Sequence, residues 1–220
     1  MLTIVLFVIL GATLVFGQTA ESKAPEAKAA PKASIVGEIA VKTIPAMTGA
    51  IILEKAANHA PKDGYKAGFE GIDQAYTAMN KDAFAKLGEW IKAGGMPMGA
   101  PFGIYYENPE VTPAKDLTCK IGFPTMDGAK VSGEIVLEKF PETEMAVLQY
   151  KGSYDASADM WHAIMKWGPE HGYDWAGPGM EVYLKGPNDT TKPEEYLTEI
   201  RMPVKKAEAK KAAEPTPAGK

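Results

Sequence analysis

Residues 35–54 read IVGEIAVKTIPAMTGAIILE, and residues 131–150 read VSGEIVLEKFPETEMAVLQY. The two stretches share a Gly-Glu-Ile start, at Gly37 and at Gly133, and a proline seven residues past the glutamate, at Pro45 and Pro141. A second run of apolar and β-branched residues follows each proline, so each stretch reads as strand, proline, strand.

Downstream of each stretch lies one segment of helical period. In FEGIDQAYTAMNKDAFAKLGEWIKA, about residues 69–93, Ile72, Ala75, Tyr76, Met79, Phe84, Leu87, Trp90 and Ile91 form a broad apolar stripe. In DASADMWHAIMKWGPEH, about residues 155–171, Met160, Trp161, Ile164, Met165 and Trp167 form the second. Asp155 is the expected N-cap and Gly172 the expected glycine just past the end. Gly/Pro segments then lead into pairs of short β-type runs: 101–107 and 117–124 in the first half, 179–186 and 196–203 in the second. The predicted unit is β-β-α-β-β, twice. Many strands with only two helices argue for an α+β fold, with an antiparallel sheet carrying both helices on one face. A ligand cleft is expected between the pseudo-symmetric halves, about 35–125 and 130–204.

The ends of the chain differ from this core. Residues 1–17, MLTIVLFVILGATLVFG, carry no charge and suit the apolar region of a signal peptide, with a cut before Gln18 or after Ala20. An uncleaved N-terminal anchor is the alternative, although the run is short of the roughly 20 residues a membrane span needs. Residues 18–34 read as an Ala/Lys/Pro linker, 35–204 as one folded domain and 205–220 as a disordered basic tail. The whole chain carries −4, the tail +3 and the linker +1, which leaves −8 on the domain. That charge argues against a nucleic-acid partner and favours a cationic or neutral small molecule. Only the linker and the apolar segment precede the domain, so no DNA-binding module is expected. A single cysteine, Cys119, excludes an intramolecular disulfide framework.

Chemistry-bearing motifs are few. No H-E-x-x-H, C-x-x-C, G-x-S-x-G or Walker A pattern occurs, and His162 and His171 are not at ligand spacing, so neither a metal nor a cofactor is expected. The glycine-rich stretch 93–103 reads as a turn. What remains is carboxylates among aromatics. Alternation places Glu181 with Tyr183, and Glu199 with Arg201. With Val182 and Ile200 against the helices, all four face the open side of the sheet. One reading is a solvated face with an Arg201–glutamate pair. The other is a cleft floored by carboxylates and walled by aromatics, suited to a cationic, aromatic or lipophilic guest. Trp90, Trp161 and Trp167 lie on helices and read as core, whereas Trp175 and Tyr154 lie in loops and are candidates for the rim.

The second half resembles a known family. The marks are E-x-F-P at 138–141, A-V-L-x-Y-K-G-x-Y at 146–154, H-G-Y at 171–173 and G-P-x-x-E-V-Y-L at 177–184. They end in K-P-E-E-Y-L-T-E-I-x-x-P-V at 192–204, and the first half matches through G-A-P-F-G-I-Y-Y-E at 99–107. Together they are similar to the GyrI-like small-molecule-binding family, the AraC-type or BmrR-type effector-binding domain. The resemblance implies a duplicated fold with a ligand cleft between the halves. It implies acidic residues of the last two strands in that pocket, here Glu181 and Glu199, with Tyr105 as part of an aromatic wall. Members of the family include effector-binding parts of transcription regulators, free-standing binders, and hydrolases of cyclopropane-containing compounds. Arg201, Lys120 and the long stretch 55–68 depart from the pattern. The expected function is thus an exported, stand-alone binder of lipophilic, aromatic or cationic compounds. The alternatives are a hydrolase that uses Glu181 on an electrophilic guest, and an envelope protein that binds a partner and keeps only a vestigial cleft.

Overall fold

A computed structural model describes residues 33–208. The signal or anchor segment, most of the linker and most of the tail lie outside the described residues. The elements run β1 (Ser34–Ile35), β2 (Ala40–Ile44), β3 (Met47–Lys55), α1 (Phe69–Lys92), β4 (Phe102–Tyr105) and β5 (Thr118–Thr125). They continue β6 (Val136–Phe140), β7 (Thr143–Lys151), α2 (Ser157–Glu170), β8 (Tyr173–Trp175), β9 (Gly179–Lys185) and β10 (Leu197–Lys206). All ten strands join one antiparallel sheet, in the order β1-β7-β10-β9-β4-β5-β3-β6, with β2 also on β7 and β8 on β10. The α+β class with two helices is as expected.

The proline-split stretches do not close as hairpins. β2 pairs with β7, Ile44 opposite Thr143, and β6 pairs with β3, Phe140 opposite Met47. Each half therefore lends its first strand to the other. The local reason is the connection. Pro45-Ala46 and Pro141-Glu142 lack the Asn-Gly or Gly-containing pairs of a tight hairpin, and a proline keeps the residue before it extended.

Both helices pack on one face. α1 buries Gly71, Ala75, Met79, Ala83, Leu87 and Trp90, a regular stripe, against Ala50 and Ile52 of β3 and Cys119 and Ile121 of β5. α2 lays Ile164 on Ala146, Leu148, Tyr150, Ile200 and Met202 of β7 and β10. The other face of the curled sheet encloses a smaller core of Ile51, Phe102, Ile104, Met180 and Val182. Truncating a fully buried side chain such as Leu87 to alanine costs about 2–5 kcal/mol in cores of this kind.

Asp155 does not cap α2. It lies in a short 3-10 turn, Tyr154–Ala156, and its backbone N–H donates to Ser153 Oγ at 3.3 Å. Gly172 does follow the end of α2 with φ +76°, the left-handed conformation that glycine takes without a Cβ clash.

Candidate functional site

The two halves meet where β4 lies beside β9. Gly103 stands opposite Glu181, and Tyr105 opposite Gly179. The local sequences Gly103-Ile-Tyr105 and Glu181-Val-Tyr183 run antiparallel, so a tyrosine of each half reaches the junction from either side. The Tyr105 and Tyr183 hydroxyls share a hydrogen bond of 2.6 Å. A side chain would crowd the rings at both glycines. A Cβ on Gly179 would lie 2.4 Å from the Trp161 ring, and one on Gly103 would lie 2.9 Å from the Tyr105 hydroxyl.

The register of β9 against β10 decides which face holds the site. Ile200 pairs with Glu181, and Glu199 with Val182. Glu181 therefore shares the helix-bearing face with Ile200, while Val182 turns to the opposite core. This corrects the expectation that Val182 and Ile200 face the helices together. The same register separates the two glutamates. Glu199 lies on the helix-free face, bonded by Arg201 Nε at 2.9 Å and Nη2 at 2.6 Å. The Arg201–Glu199 pair forms, but it leaves Glu181 untouched.

Helix α2 covers Glu181. Ser157 Oγ and Trp161 Nε1 both donate to Glu181 Oε1, the latter at 2.7 Å. The residue is 6% exposed. Burial pushes its pKa above the ordinary glutamate range, and the hydrogen bonds from Ser157, Trp161 and Tyr183 only partly oppose that. Among the described residues, no cation contributes to its environment. Around it stand Tyr105, edge-on to Tyr76 at 5.2 Å and to Trp161 at 6.2 Å, and Tyr183, edge-on to Phe84 at 6.3 Å and Tyr154 at 5.5 Å. Tyr154 in turn packs on Tyr196 with centroids 4.9 Å apart. Burial, then the charge of Glu181, pushes the Tyr105 hydroxyl up, and burial pushes Tyr154 up to about 12, so these phenols stay neutral donors.

Three buried polar atoms near this cluster lack a hydrogen-bond partner among the described residues: Asn80 Oδ1 on α1, Tyr150 OH and Thr198 Oγ1. Tyr150 and Thr198 face each other across β7 and β10, close enough to Glu181 for its charge to act on the Tyr150 hydroxyl. Asn80 lies beside the Tyr105 hydroxyl. Buried groups left unpaired cost about 1–3 kcal/mol each and are the positions a polar guest or water would satisfy.

The structure thus brings together Glu181, Tyr105, Tyr183 and Tyr154. It does not bring Glu199, Arg201 or Trp175 to them. Trp175 sits in β8, which the sequence presents as a loop. It pairs with Val204 and lays its ring over Gly168 of α2, inside the second-half core. Sequence reasoning assigned Trp161 to the core and did not single out Ser157. Trp161 lies in the same helical stripe as core residues, so only the position of β9 reveals its partner. Open grooves lie elsewhere. One of about 390 Å³ is lined by residues that include Trp90, Met96, Met126 and Lys130. Another of about 580 Å³ is lined by Ile35, Gly37, Glu38, Ile39, Trp167 and His171. Neither touches Glu181, and the buried, cation-free carboxylate makes the β4–β9 junction the candidate site.

Residues 38–205 match the GyrI-like small molecule binding domain, and the chain belongs to that family. No curated protein sequence matches it. Among solved structures, the EcmrR C-terminal domain is 19% identical with a TM-score of 0.61, covering 77% of this chain and 98% of that one. EcmrR in its DNA complex is 17% identical with a TM-score of 0.58 over 81% of this chain, which spans 59% of that chain's length. SAV2435 bound to tetraphenylphosphonium is 16% identical with a TM-score of 0.51, covering 77% of this chain and 94% of that one. A hydrolase from Listeria innocua is 13% identical with a TM-score of 0.50, covering 76% and 92%. At these identities the likeness is one of fold.

Proposed function

We propose that this protein is an exported, stand-alone binder of lipophilic, aromatic or cationic small molecules, taken up at the β4–β9 junction between the halves. One observation carries the reading: Glu181 is buried among aromatic rings with neutral donors and, among the described residues, no cation. An aromatic cation would supply the missing charge, and rings surround it for stacking and cation–π contact. The fold likeness to a protein bound to tetraphenylphosphonium supports that choice of guest. Entry requires aromatic side chains such as Trp161 or Tyr154 to turn aside, because Glu181 is covered.

Thermal unfolding with and without tetraphenylphosphonium tests this. The cation should raise Tm, Glu181→Gln should abolish the rise, and Glu199→Gln, on the other face, should keep it. A rise that survives Glu181→Gln would overturn the carboxylate site. Export rests on the apolar segment 1–17. N-terminal sequencing of protein recovered from the cell envelope tests it, with a mature chain starting near Gln18 or Glu21 expected.

A hydrolase is the second reading, favoured by the raised pKa of Glu181 beside the Tyr105–Tyr183 pair. A carboxylate in that state suits a general base that activates water, with a phenol as donor. Glu181-dependent turnover of strained electrophiles would establish it, and turnover equal in Glu181→Gln would dismiss it.

A further inference from the structure

A second cluster lies at the outer end of the first half, apart from the aromatic junction. Glu54 ends the buried run of β3, His59 follows in the 3-10 turn Ala56–His59, and Asp82 projects from α1. One donor atom from each lies within 4.8 Å of the others. We propose that Glu54, His59 and Asp82 form a binding site for a divalent first-row metal ion such as Zn²⁺, in competition with Lys86.

Charge is the first argument. Three carboxylates, those of Glu54, Asp82 and Glu134, gather round the single ammonium of Lys86. With His59 neutral, the group keeps an excess of two negative charges, which a divalent ion balances. Satisfaction is the second. The Glu54 side chain is 4% exposed, yet only one of its oxygens is bonded, Oε2 to His59 Nε2 at 2.6 Å. Among the described residues, Oε1 has no hydrogen-bond partner and sees Lys86 Nζ only at 3.6 Å. A buried carboxylate oxygen aimed into a cluster and left without a hydrogen bond is a position a metal fills.

Donor chemistry narrows the ion. One imidazole with two carboxylates suits Zn²⁺ better than Mg²⁺ or Ca²⁺, and three protein ligands leave one position for water. Ligand bonds of about 2.0–2.2 Å place neighbouring donors of a tetrahedral site about 3.4 Å apart. The cluster brackets that spacing, from 2.6 Å between His59 and Glu54 to the 4.8 Å limit, so small side-chain shifts complete it. Lys86 is 36% exposed and already pairs with the exposed Glu134, so it can give up Asp82 and Glu54 to the metal without losing every partner. The bound ion would tie the segment after β3 to α1. A search for paired His or Cys spacing overlooks this site, because its third ligand comes from a helix 23 residues beyond His59.

The test is calorimetric titration of the full, chelator-treated chain with Zn²⁺. One saturable site is expected, with a rise of several degrees in Tm. Glu54→Gln and His59→Ala should each lose the site. His59 is the safer variant, since its side chain is 17% exposed and its removal leaves the core intact. Lys86→Met should tighten binding several-fold by removing the competing cation, an outcome that loss of folding cannot imitate. The double variant His162→Ala/His171→Ala should bind as the parent does. Absence of saturable binding, binding unchanged in His59→Ala, or binding lost only in the double variant would each overturn the proposal.

Discussion

Two glutamates are buried on the helix-bearing face, one in each half, and their surroundings are opposite. Glu54 lies at the outer end of β3 with His59 and Lys86 beside it. Glu181 lies at the centre of the sheet with Ser157 and Trp161 beside it and no cation. The aligned stretches 35–54 and 131–150 sharpen the contrast, because Glu54 falls where Tyr150 stands in the second. One sheet therefore buries a carboxylate twice, once with counter-charge and once without. The first arrangement holds structure together. The second stores a cost that a cationic guest relieves.

That contrast can be broken at Glu54 first. Glu54→Gln should lower stability by about 1–3 kcal/mol, because it removes the partner of His59 and Lys86 in a buried setting. Denaturant unfolding measures it, and an unchanged midpoint would dissolve the difference between the two carboxylates. Glu181→Gln should have the opposite sign, a gain of up to about 1 kcal/mol near neutral pH, because a buried charge without a counter-ion disappears while the amide oxygen still accepts from Trp161.

The pH dependence follows from the direction of the shift. The folded state holds the Glu181 proton more tightly than the unfolded chain does. Stability therefore carries no penalty from this group below the ordinary glutamate range, and it falls as pH rises through the raised value. Glu181→Gln cancels that fall, so the Tm difference between variant and parent should widen from acid to neutral pH. A difference that is flat with pH would mean that Glu181 is paired. Affinity for a cationic probe should rise over the same window.

The smallest effect is expected at Tyr150. Its buried hydroxyl lacks a partner among the described residues, so Tyr150→Phe gives up no bond and should hold stability or raise it by up to about 1 kcal/mol in denaturant unfolding. A loss would show that the hydroxyl is satisfied and that the second half has its own buried polar bond.

Much of the architecture was legible along the chain. The stripe from Ala75 to Trp90 marks α1 because burying one side of a helix requires that period. The runs at 117–124 and 196–203 mark β5 and β10 within two residues at their starts. The exchange of β2 and β6 was not legible, since the same strand-proline-strand pattern serves a hairpin or a crossing between halves. The site was legible as residue types, Glu181 with Tyr105 and Tyr183, but not as a surface. Alternation states which residues of one strand share a face and says nothing of which face a neighbouring strand offers it.

The sequence by itself determined the α+β class and the family, because period, proline placement and motif order are properties of the chain. Tertiary structure alone decided that Glu181 and Glu199 lie on opposite faces, that Trp161 rather than Trp175 meets the buried carboxylate, and that Asp82 joins Glu54 and His59. Each of these depends on strand register or helix docking. Register is set by pairing between segments far apart in the chain, and a one-residue difference reverses every side chain.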